Sequence, residues 1–297
     1  MYFKRKLMDW INHLLSAVLM LITFAIGSSL RFADFENIFR KSKALTVGLV
    51  AQMVFLPILA FVIAYFSDLS PELKVGMLIV AICPGGTTSN FVSYLVNADT
   101  ALAVALTAVN SLLILFTIPV FTNMAISLFM GTTSEFSLSM TDTFLEVSKI
   151  VIFPAFLGLV FNRYLPNFAL KIKFPLKVIN TILLGLVFVV KFLADKESGG
   201  TGIVVDEMVR IFPYVLVMHL VAMIFSYLIS RRFFGVSNVQ STTIGIEVGL
   251  QNTVLAIYVA GLIQSVEMAK PALVYAMFSF FTTLGFALFV MRDRYNK

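Results

Sequence analysis

The sequence predicts an all-α polytopic membrane protein with nine transmembrane helices, and three observations support that prediction. Its 297 residues are 59% hydrophobic and only 13% charged, whereas a soluble domain carries about 25% charged residues. Apolar runs such as 44–66 are long enough to cross the hydrocarbon core as a helix, which takes about 20 residues. The chain lacks the short alternating segments that are typical of membrane β-barrels. We therefore expect the bilayer to be the main solvent of the folded chain.

Nine hydrophobic segments can be identified along the chain, and the polar connections between them are short. They are 14–30, 44–66, 74–97, 100–125, 147–163, 177–194, 211–230, 241–262 and 271–291. We interpret the first as a retained span rather than a signal peptide, because no cleavage-site pattern accompanies it. No connection is long enough for a separate soluble domain, so we predict one membrane domain over 1–297.

The basic residues predict the orientation of the chain. Nine spans put the termini on opposite sides, and the side with the C-terminus holds 13 Lys and Arg residues against 9 on the other. Because cytoplasmic loops are enriched in basic residues, we expect the C-terminus in the cytoplasm and the N-terminus outside. The net charge of +6 belongs to these loops, and no nucleic-acid partner is predicted. The expected location is the cell membrane, taken to be the bacterial inner membrane.

Segments three and eight each contain a polar interruption. The first runs from Pro84 through Gly85 and Gly86 to Asn90 and ends in four consecutive hydroxyl or amide side chains. Proline removes a backbone donor, and glycine lets the backbone leave helical geometry. In hydrocarbon, the backbone groups freed in this way need protein, water or ligand partners. A simple proline kink is the alternative, but four polar side chains at membrane depth favour a binding site.

The second interruption, from Glu247 to Asn252, carries the only acidic residue deep inside an apolar segment. A charged side chain at a helix centre costs about 2.5–3.5 kcal/mol on insertion scales. A protonated Glu247 bonded across helices would be structural, whereas an ionised Glu247 needs a cation. Gln52, Thr107 and Asn110 add polar side chains in segments two and four. Oxygen ligands without Cys or His favour a hard cation over a transition metal.

The spacing of the two interruptions indicates an internal repeat. They lie five spans apart, so the two segments are expected to cross the membrane in opposite directions. Interrupted helices at corresponding positions of two halves are typical of transporters built from inverted repeats. The halves would be segments one to four and five to nine. If the repeat unit has five helices, the first half lacks its opening helix.

Across essentially its whole length, the sequence resembles the bile acid:sodium symporter family. The resemblance is carried by Ala51-Gln52, by the stretch Cys83–Asn90 and by the stretch Glu247–Asn252, and the paired motifs at matching spacing make it specific. It implies an inverted-repeat fold in which two broken helices cross inside a core domain beside a panel domain. The core would comprise about 44–125 and 211–291, and the panel about 14–30 and 147–194.

The resemblance also implies two sodium sites behind the crossing. The first would use the side chains of Ser89, Asn90, Thr107 and Glu247. The family has a serine four residues before this threonine, but Ala103 stands there in this sequence, so the first site lacks one hydroxyl. The second site matches the family pattern throughout. It would use the side chains of Gln52, Glu247 and Gln251 and the backbone oxygens of Val248 and Leu250.

By the same resemblance, an organic anion would lie in front of the crossing, near Thr87 and Asn252. Half-helix N-termini there present free amides and positive dipole ends. Some bacterial members add a His-Asn pair in the last helix, and the corresponding positions here are Phe281 and Thr282. Thr282 is therefore a third predicted substrate residue. The altered pair weighs against bile acids and leaves smaller carboxylates and sulfated anions open.

Taken with the resemblance, the sequence predicts a sodium-coupled symporter of organic anions that works by alternating access. Na⁺ is the predicted coupling ion, and the organic anion and the lipid bilayer are the predicted partners. An intramembrane enzyme is not predicted, because a lone deep glutamate is no nucleophile–base pair, metal triad or pair of catalytic acids. Two alternatives stay open: a proton-coupled transporter in which Glu247 titrates, and a ligand-binding membrane sensor that does not transport.

Overall fold

The computed structural model describes residues 2–29, 42–131, 138–196 and 200–295, and the regular structure there is helical apart from one isolated bridge. The helices of the first half are α1 (Tyr2–Ser29), α2 (Ser42–Val50), α3 (Leu56–Phe66), α4 (Pro71–Ile82), α5 (Thr87–Leu95) and α6 (Thr100–Met130). Those of the second half are α7 (Met140–Val147), α8 (Phe153–Tyr164), α9 (Pro166–Leu193), α10 (Val205–Arg232), α11 (Asn238–Gly249), α12 (Thr253–Leu262) and α13 (Lys270–Tyr295).

Six helical stretches among the described residues are long and apolar enough to cross a membrane. They are Lys43–Phe66, Thr100–Met130, Thr141–Tyr164, Phe174–Leu193, Val205–Arg232 and Glu267–Arg292. The helices His13–Ser28 and Thr253–Leu262 are apolar but shorter. The all-helical, polytopic character predicted from the sequence is therefore confirmed, while the count of nine transmembrane helices stays a prediction.

Two interrupted helix pairs lie at the centre of the molecule. α4 ends at Ile82 and α5 begins at Thr87, and α11 ends at Gly249 before α12 begins at Thr253. All residues of 75–85 and of 241–251 are buried, whichever side of the helix they lie on. A helix that is buried all round packs in the interior. Both breaks therefore lie inside the protein and not at its lipid-facing surface.

Two further helix pairs are joined by π-helical turns that precede a proline. α2 and α3 are joined by Ala51–Phe55, where the Leu56 amide donates to the Ala51 carbonyl ahead of Pro57. Ser148–Ile152 joins α7 to α8 in the same way, ahead of Pro154. Proline cannot donate a hydrogen bond to the preceding turn. The backbone before it bonds five residues back instead of four, which widens the helix locally. Such turns are frequent at functional sites, and the first of them carries Gln52.

The helices α1 and α8 cross at short range because glycines lie at their contact. A Cβ atom added to Gly27 would lie 1.9 Å from the Ala155 carbonyl oxygen, and one added to Gly158 would lie 2.3 Å from that of Phe24. Small residues permit this approach of two backbones in membrane proteins. The pair therefore forms one closely packed unit beside the central breaks.

Candidate functional site

The two interrupted segments meet at their breaks. Gly85 and Gln251 form an antiparallel bridge, and the Asn252 amide donates to the Pro84 carbonyl across 2.8 Å. Each break thus satisfies some of the backbone groups that the other has lost by leaving the helix. The meeting point brings together four helix ends: the C-termini of α4 and α11 and the N-termini of α5 and α12.

Glu247 lies at this meeting point, in the last turn of α11, and is only 1% exposed. Its Oε1 accepts a hydrogen bond of 2.7 Å from the Thr107 hydroxyl of α6. Its Oε2 is buried and has no hydrogen-bond partner within the described residues. The absent side chain of Gly85 makes room for the carboxylate, because a Cβ there would lie 2.3 Å from Oε1.

Three of the residues predicted for the second ion site, Gln52, Gln251 and Val248, form one hydrogen-bonded group. Gln52 Nε2 donates to the Cys83 carbonyl at 3.1 Å and to Gln251 Oε1 at 2.8 Å. Gln251 Nε2 donates to the Val248 carbonyl at 2.6 Å. Gln52 Oε1 is buried without a partner in the described part of the chain. Leu250 follows directly in the break, where its amide still bonds to Ile246.

The other residues predicted for the first ion site make a separate set of contacts near Glu247. The Thr107 hydroxyl is 3.5 Å from Asn90 Oδ1. The Ser89 hydroxyl donates to the Gly86 carbonyl at 2.8 Å, and it lies beside the same face of Gly85 as the Glu247 carboxylate. One turn before Thr107, Ala103 is fully buried and offers only a methyl group.

The oxygen atoms around Glu247 are suitable ligands for a hard cation. Buried polar oxygens without a partner are costly to the folded state, and both Gln52 Oε1 and Glu247 Oε2 are of this kind. Carboxylate, amide, hydroxyl and carbonyl oxygens are the ligands of hard cations, and broken helices in transporters offer their carbonyl ends to Na⁺. No group of three or more His, Cys, Asp or Glu residues within the described residues could hold a metal ion.

Two of the three predicted substrate residues lie close together, and the third makes a different contact. Asn252 caps α12, its Oδ1 accepting from the Leu255 amide at 3.0 Å, and its Nδ2 faces Gly86, the residue before α5. Thr87 begins α5, but its side chain lies outside the described part of the structure. The hydroxyl of Thr282 is 2.7 Å from His219 Nε2. The structure therefore brings the Asn252 and Thr87 positions together at two helix N-termini and places Thr282 in a separate contact.

Sequence reasoning missed three residues near the breaks. Gly85 was singled out as a helix breaker, whereas its lack of a side chain also admits the Glu247 carboxylate. Tyr275 donates to the Gly249 carbonyl at 2.7 Å, and His219 contacts that tyrosine. A polar residue inside an apolar span was the available signal for both, but their partners are far away in sequence.

The comparison with known proteins agrees with this architecture. Residues 16–198 match the family described as "Sodium Bile acid symporter family", which is more than half of the chain. The chain belongs to this family. The matched range contains the Pro84 break and ends before the Glu247 break, so the site geometry of the second half rests on the structure.

Three relatives illustrate how the family resemblance extends along the chain. The chain is 28% identical to "Uncharacterized sodium-dependent transporter YocS" of Bacillus subtilis (strain 168) over 92% of its own length and 81% of that protein. It is 28% identical to "Probable sodium/metabolite cotransporter BASS1, chloroplastic" of Arabidopsis thaliana over 85% of the chain and 60% of the plant protein. A shorter match, 30% identical over 37% of the chain and 31% of the relative, links it to the "Ileal sodium/bile acid cotransporter" of Homo sapiens.

Family membership fixes the class of the protein. The family consists of sodium-dependent transporters of bile acids and metabolites, and its named relatives are cotransporters and not enzymes. The apolar helices place the chain in a membrane as a multi-pass protein. The family name also makes Na⁺ the ion to consider at the oxygen-rich crossing.

Proposed function

We propose that this member of the sodium bile acid symporter family is a sodium-coupled symporter of organic anions that works by alternating access. The observation that carries the proposal is the meeting of the two breaks, where Gly85 pairs with Gln251. This single point gathers a buried carboxylate, two helix C-termini and two helix N-termini. Cation ligands and an anion-binding surface are thus held by the same backbone.

Two sodium ions would bind on the side of Glu247. The better-equipped site comprises the side chains of Gln52, Glu247 and Gln251 with the carbonyls of Val248 and Leu250. The proposal is supported by the hydrogen bonds that already hold the two amides and the Val248 carbonyl together. The other site comprises Ser89, Asn90, Thr107 and Glu247. With Ala103 in place of a hydroxyl, it has one ligand fewer and would bind sodium more weakly.

The organic anion would bind in front of the crossing, at the N-termini of α5 and α12. Gly86 and Asn252, the residues that cap these helices, are neighbours. Free amides and positive dipole ends at two helix N-termini favour a carboxylate or sulfate group. We include Thr87 and Asn252 in this site. The substrate is either a bile acid-like anion or a smaller carboxylate.

Sodium binding and anion binding would be coupled through the shared breaks. A sodium ion that fixes the Glu247 side of the crossing also fixes the helix N-termini on the other side, and the linkage is reciprocal. Access would alternate by movement of a panel (about 14–30 and 147–194) against a core (about 44–125 and 211–291). Nine helices in inverted repeats, with the N-terminus outside and the C-terminus in the cytoplasm, complete the proposed topology.

The test is transport into proteoliposomes that contain the purified chain. Radiolabelled bile salt or a small carboxylate is supplied with an inward sodium gradient or with potassium on both sides. We expect sodium to drive accumulation, and Glu247→Gln, which keeps the shape and removes the charge, to reduce it at least about tenfold, as loss of metal-site partners does. Glu72→Gln, in the first turn of α4, is the control and should transport like the native chain.

Each other outcome identifies a different alternative. Equal uptake with and without sodium contradicts sodium coupling. Accumulation driven by a proton gradient alone indicates the proton-coupled transporter, with Glu247 as the group that titrates. Sodium-dependent anion binding without uptake or exchange indicates the membrane sensor.

A further inference from the structure

A chain of hydrogen bonds between side chains reaches the second break through Gly249. The Tyr275 hydroxyl of α13 donates to the Gly249 carbonyl at 2.7 Å. Nδ1 of His219, on α10, is 3.0 Å from the same hydroxyl. Nε2 of His219 is 2.7 Å from the hydroxyl of Thr282. Three side chains from two helices thus end on one backbone oxygen of α11.

The proton positions in this chain follow from hydrogen-bond chemistry. A carbonyl oxygen can only accept, so the single hydroxyl proton of Tyr275 lies on the bond to Gly249. His219 must then donate from Nδ1 to the phenol oxygen. A neutral imidazole with its proton on Nδ1 accepts at Nε2. The Thr282 hydroxyl can supply that bond in place of its bonds to the Phe278 and Ser279 carbonyls. Tyr275 and His219 therefore both direct a donor towards the break.

The two residues of this chain that lie nearest the break are buried. His219 is 0% exposed and Tyr275 1%. The ring of Phe278 packs edge-on against His219 at a centroid distance of 5.4 Å. Gly249 is the last residue of α11, so its carbonyl has lost its partner within the helix. Tyr275 supplies the partner that the break removed.

The position of Gly249 between two proposed ligands gives this bond its significance. The carbonyls of Val248 and Leu250 flank it directly and belong to the proposed second sodium site. Peptide planes are rigid and are joined through two soft dihedrals per residue, and glycine is the residue with the greatest backbone freedom. Without a fixed Gly249 carbonyl, the two flanking carbonyls can rotate away from a cation.

We propose that Tyr275 and His219 are positioning residues for sodium binding. Tyr275 holds the Gly249 carbonyl, and His219 orients the Tyr275 hydroxyl. Neither touches the ion. Thr282 is then the outer end of this chain. The inference rests on the proposed function, because it assumes that sodium binds at Glu247.

The test measures sodium binding by thermal unfolding of the purified full chain across a sodium titration at constant ionic strength with potassium. Tyr275→Phe should raise the half-saturating sodium concentration about tenfold, the size of effect that loss of an outer-shell partner has. Tyr258→Phe is the matched control. It removes a hydroxyl from a buried tyrosine of α12 that bonds to Glu146 instead, and it should stay within about twofold of the native value.

Substitutions of His219 test the chain independently of Tyr275. His219→Leu removes the donor and should raise the half-saturating sodium concentration, whereas the amide nitrogen of His219→Asn can take the place of Nδ1 and should restore near-native binding. The double variant with His219→Leu and Tyr275→Phe should have the same half-saturating sodium concentration as Tyr275→Phe alone, since both substitutions act through one bond.

Two results overturn the inference while leaving the proposed function intact. One is a Tyr275→Phe protein that is less stable by the same amount in sodium and potassium, with an unchanged half-saturating concentration. The other is additive effects of the two substitutions. Failure of the proposed function looks different: the native chain shows no stabilisation by sodium over potassium, or Glu247→Gln keeps that stabilisation.

Discussion

Gly85 shows how much one missing side chain contributes to the crossing. A Cβ atom there would lie 2.3 Å from Glu247 Oε1 and 2.9 Å from the Ser89 hydroxyl. Real Cβ atoms do not approach so closely, so the Glu247 carboxylate must move if a methyl group is added. The adjacent Gly86 is different, since its nearest neighbour would be Asn252 Nδ2 at 3.9 Å. The two glycines therefore form a matched pair for experiment.

We expect Gly85→Ala to abolish stabilisation by sodium and sodium-driven uptake, because the displaced carboxylate no longer meets its other ligands. Gly86→Ala adds the same methyl group one residue later and should keep sodium binding within about threefold, since ordinary van der Waals contact costs little. Thermal unfolding in sodium and in potassium measures sodium binding by both variants, and the proteoliposome assay measures uptake. Native-like sodium binding by Gly85→Ala contradicts the position that the structure gives to the carboxylate.

At the residue scale, the sequence predicted the unusual residues but not their partners. Glu247 could be identified because an isolated acid in an apolar span is costly. The bond of Gln52 to Gln251 and that of Tyr275 to Gly249 could not. Such contacts join residues far apart in sequence, and they depend on how the helices pack and not on any local pattern.

At the element scale, hydropathy located the helices but not their ends. The first span was expected at 14–30, yet α1 begins at Tyr2, and the fifth was expected from 147, yet α7 begins at Met140. Apolar runs mark the part of a helix that lies in hydrocarbon, whereas backbone hydrogen bonding continues beyond it. The breaks overlap their predicted places because proline and glycine act on the backbone locally. The polar residues Thr87–Asn90 and Glu247–Gly249, predicted as part of the breaks, are helical.

The close crossing of α1 and α8 yields a prediction about a whole element. Gly158→Ala puts a methyl group 2.3 Å from the Phe24 carbonyl oxygen, so the two helices must separate. We expect a loss of about 1–3 kcal/mol of stability, as for other overpacked contacts, measured by unfolding in detergent. Gly185→Ala is the control, because a Cβ there meets nothing within 4 Å. It should be neutral or slightly stabilising, as alanine favours helix. Equal destabilisation by both substitutions contradicts a specific crossing.

At the scale of the whole molecule, a network of ion pairs joins parts that the proposed mechanism must separate. Lys270, 1% exposed at the start of α13, contacts Glu207 at 2.7 Å and Glu267 at 2.8 Å. Glu267 also pairs with Lys196, which follows α9. The hydrogen bond that Lys196 donates to Glu267 raises the pKa of Lys196 above its usual value. The positive charge of Lys196 is therefore lost only as the pH rises through that raised value, so the ion pair is present at neutral pH.

Lys196 lies two residues after the end of the proposed panel, and Glu267 lies in the proposed core. Movement of the panel against the core therefore requires this pair to open. We replace both residues by cysteine in a Cys83→Ala background, which removes the single native thiol, and join them with a short reducible bifunctional thiol reagent. Cross-linking should stop sodium-driven uptake, and reduction should restore it.

The control joins Asp68→Cys to Tyr214→Cys, whose native side chains hydrogen-bond at 2.7 Å within the proposed core. That link should leave uptake unchanged, because both positions move together. Unimpaired uptake by the fully cross-linked first pair contradicts a panel that moves against the core at this end.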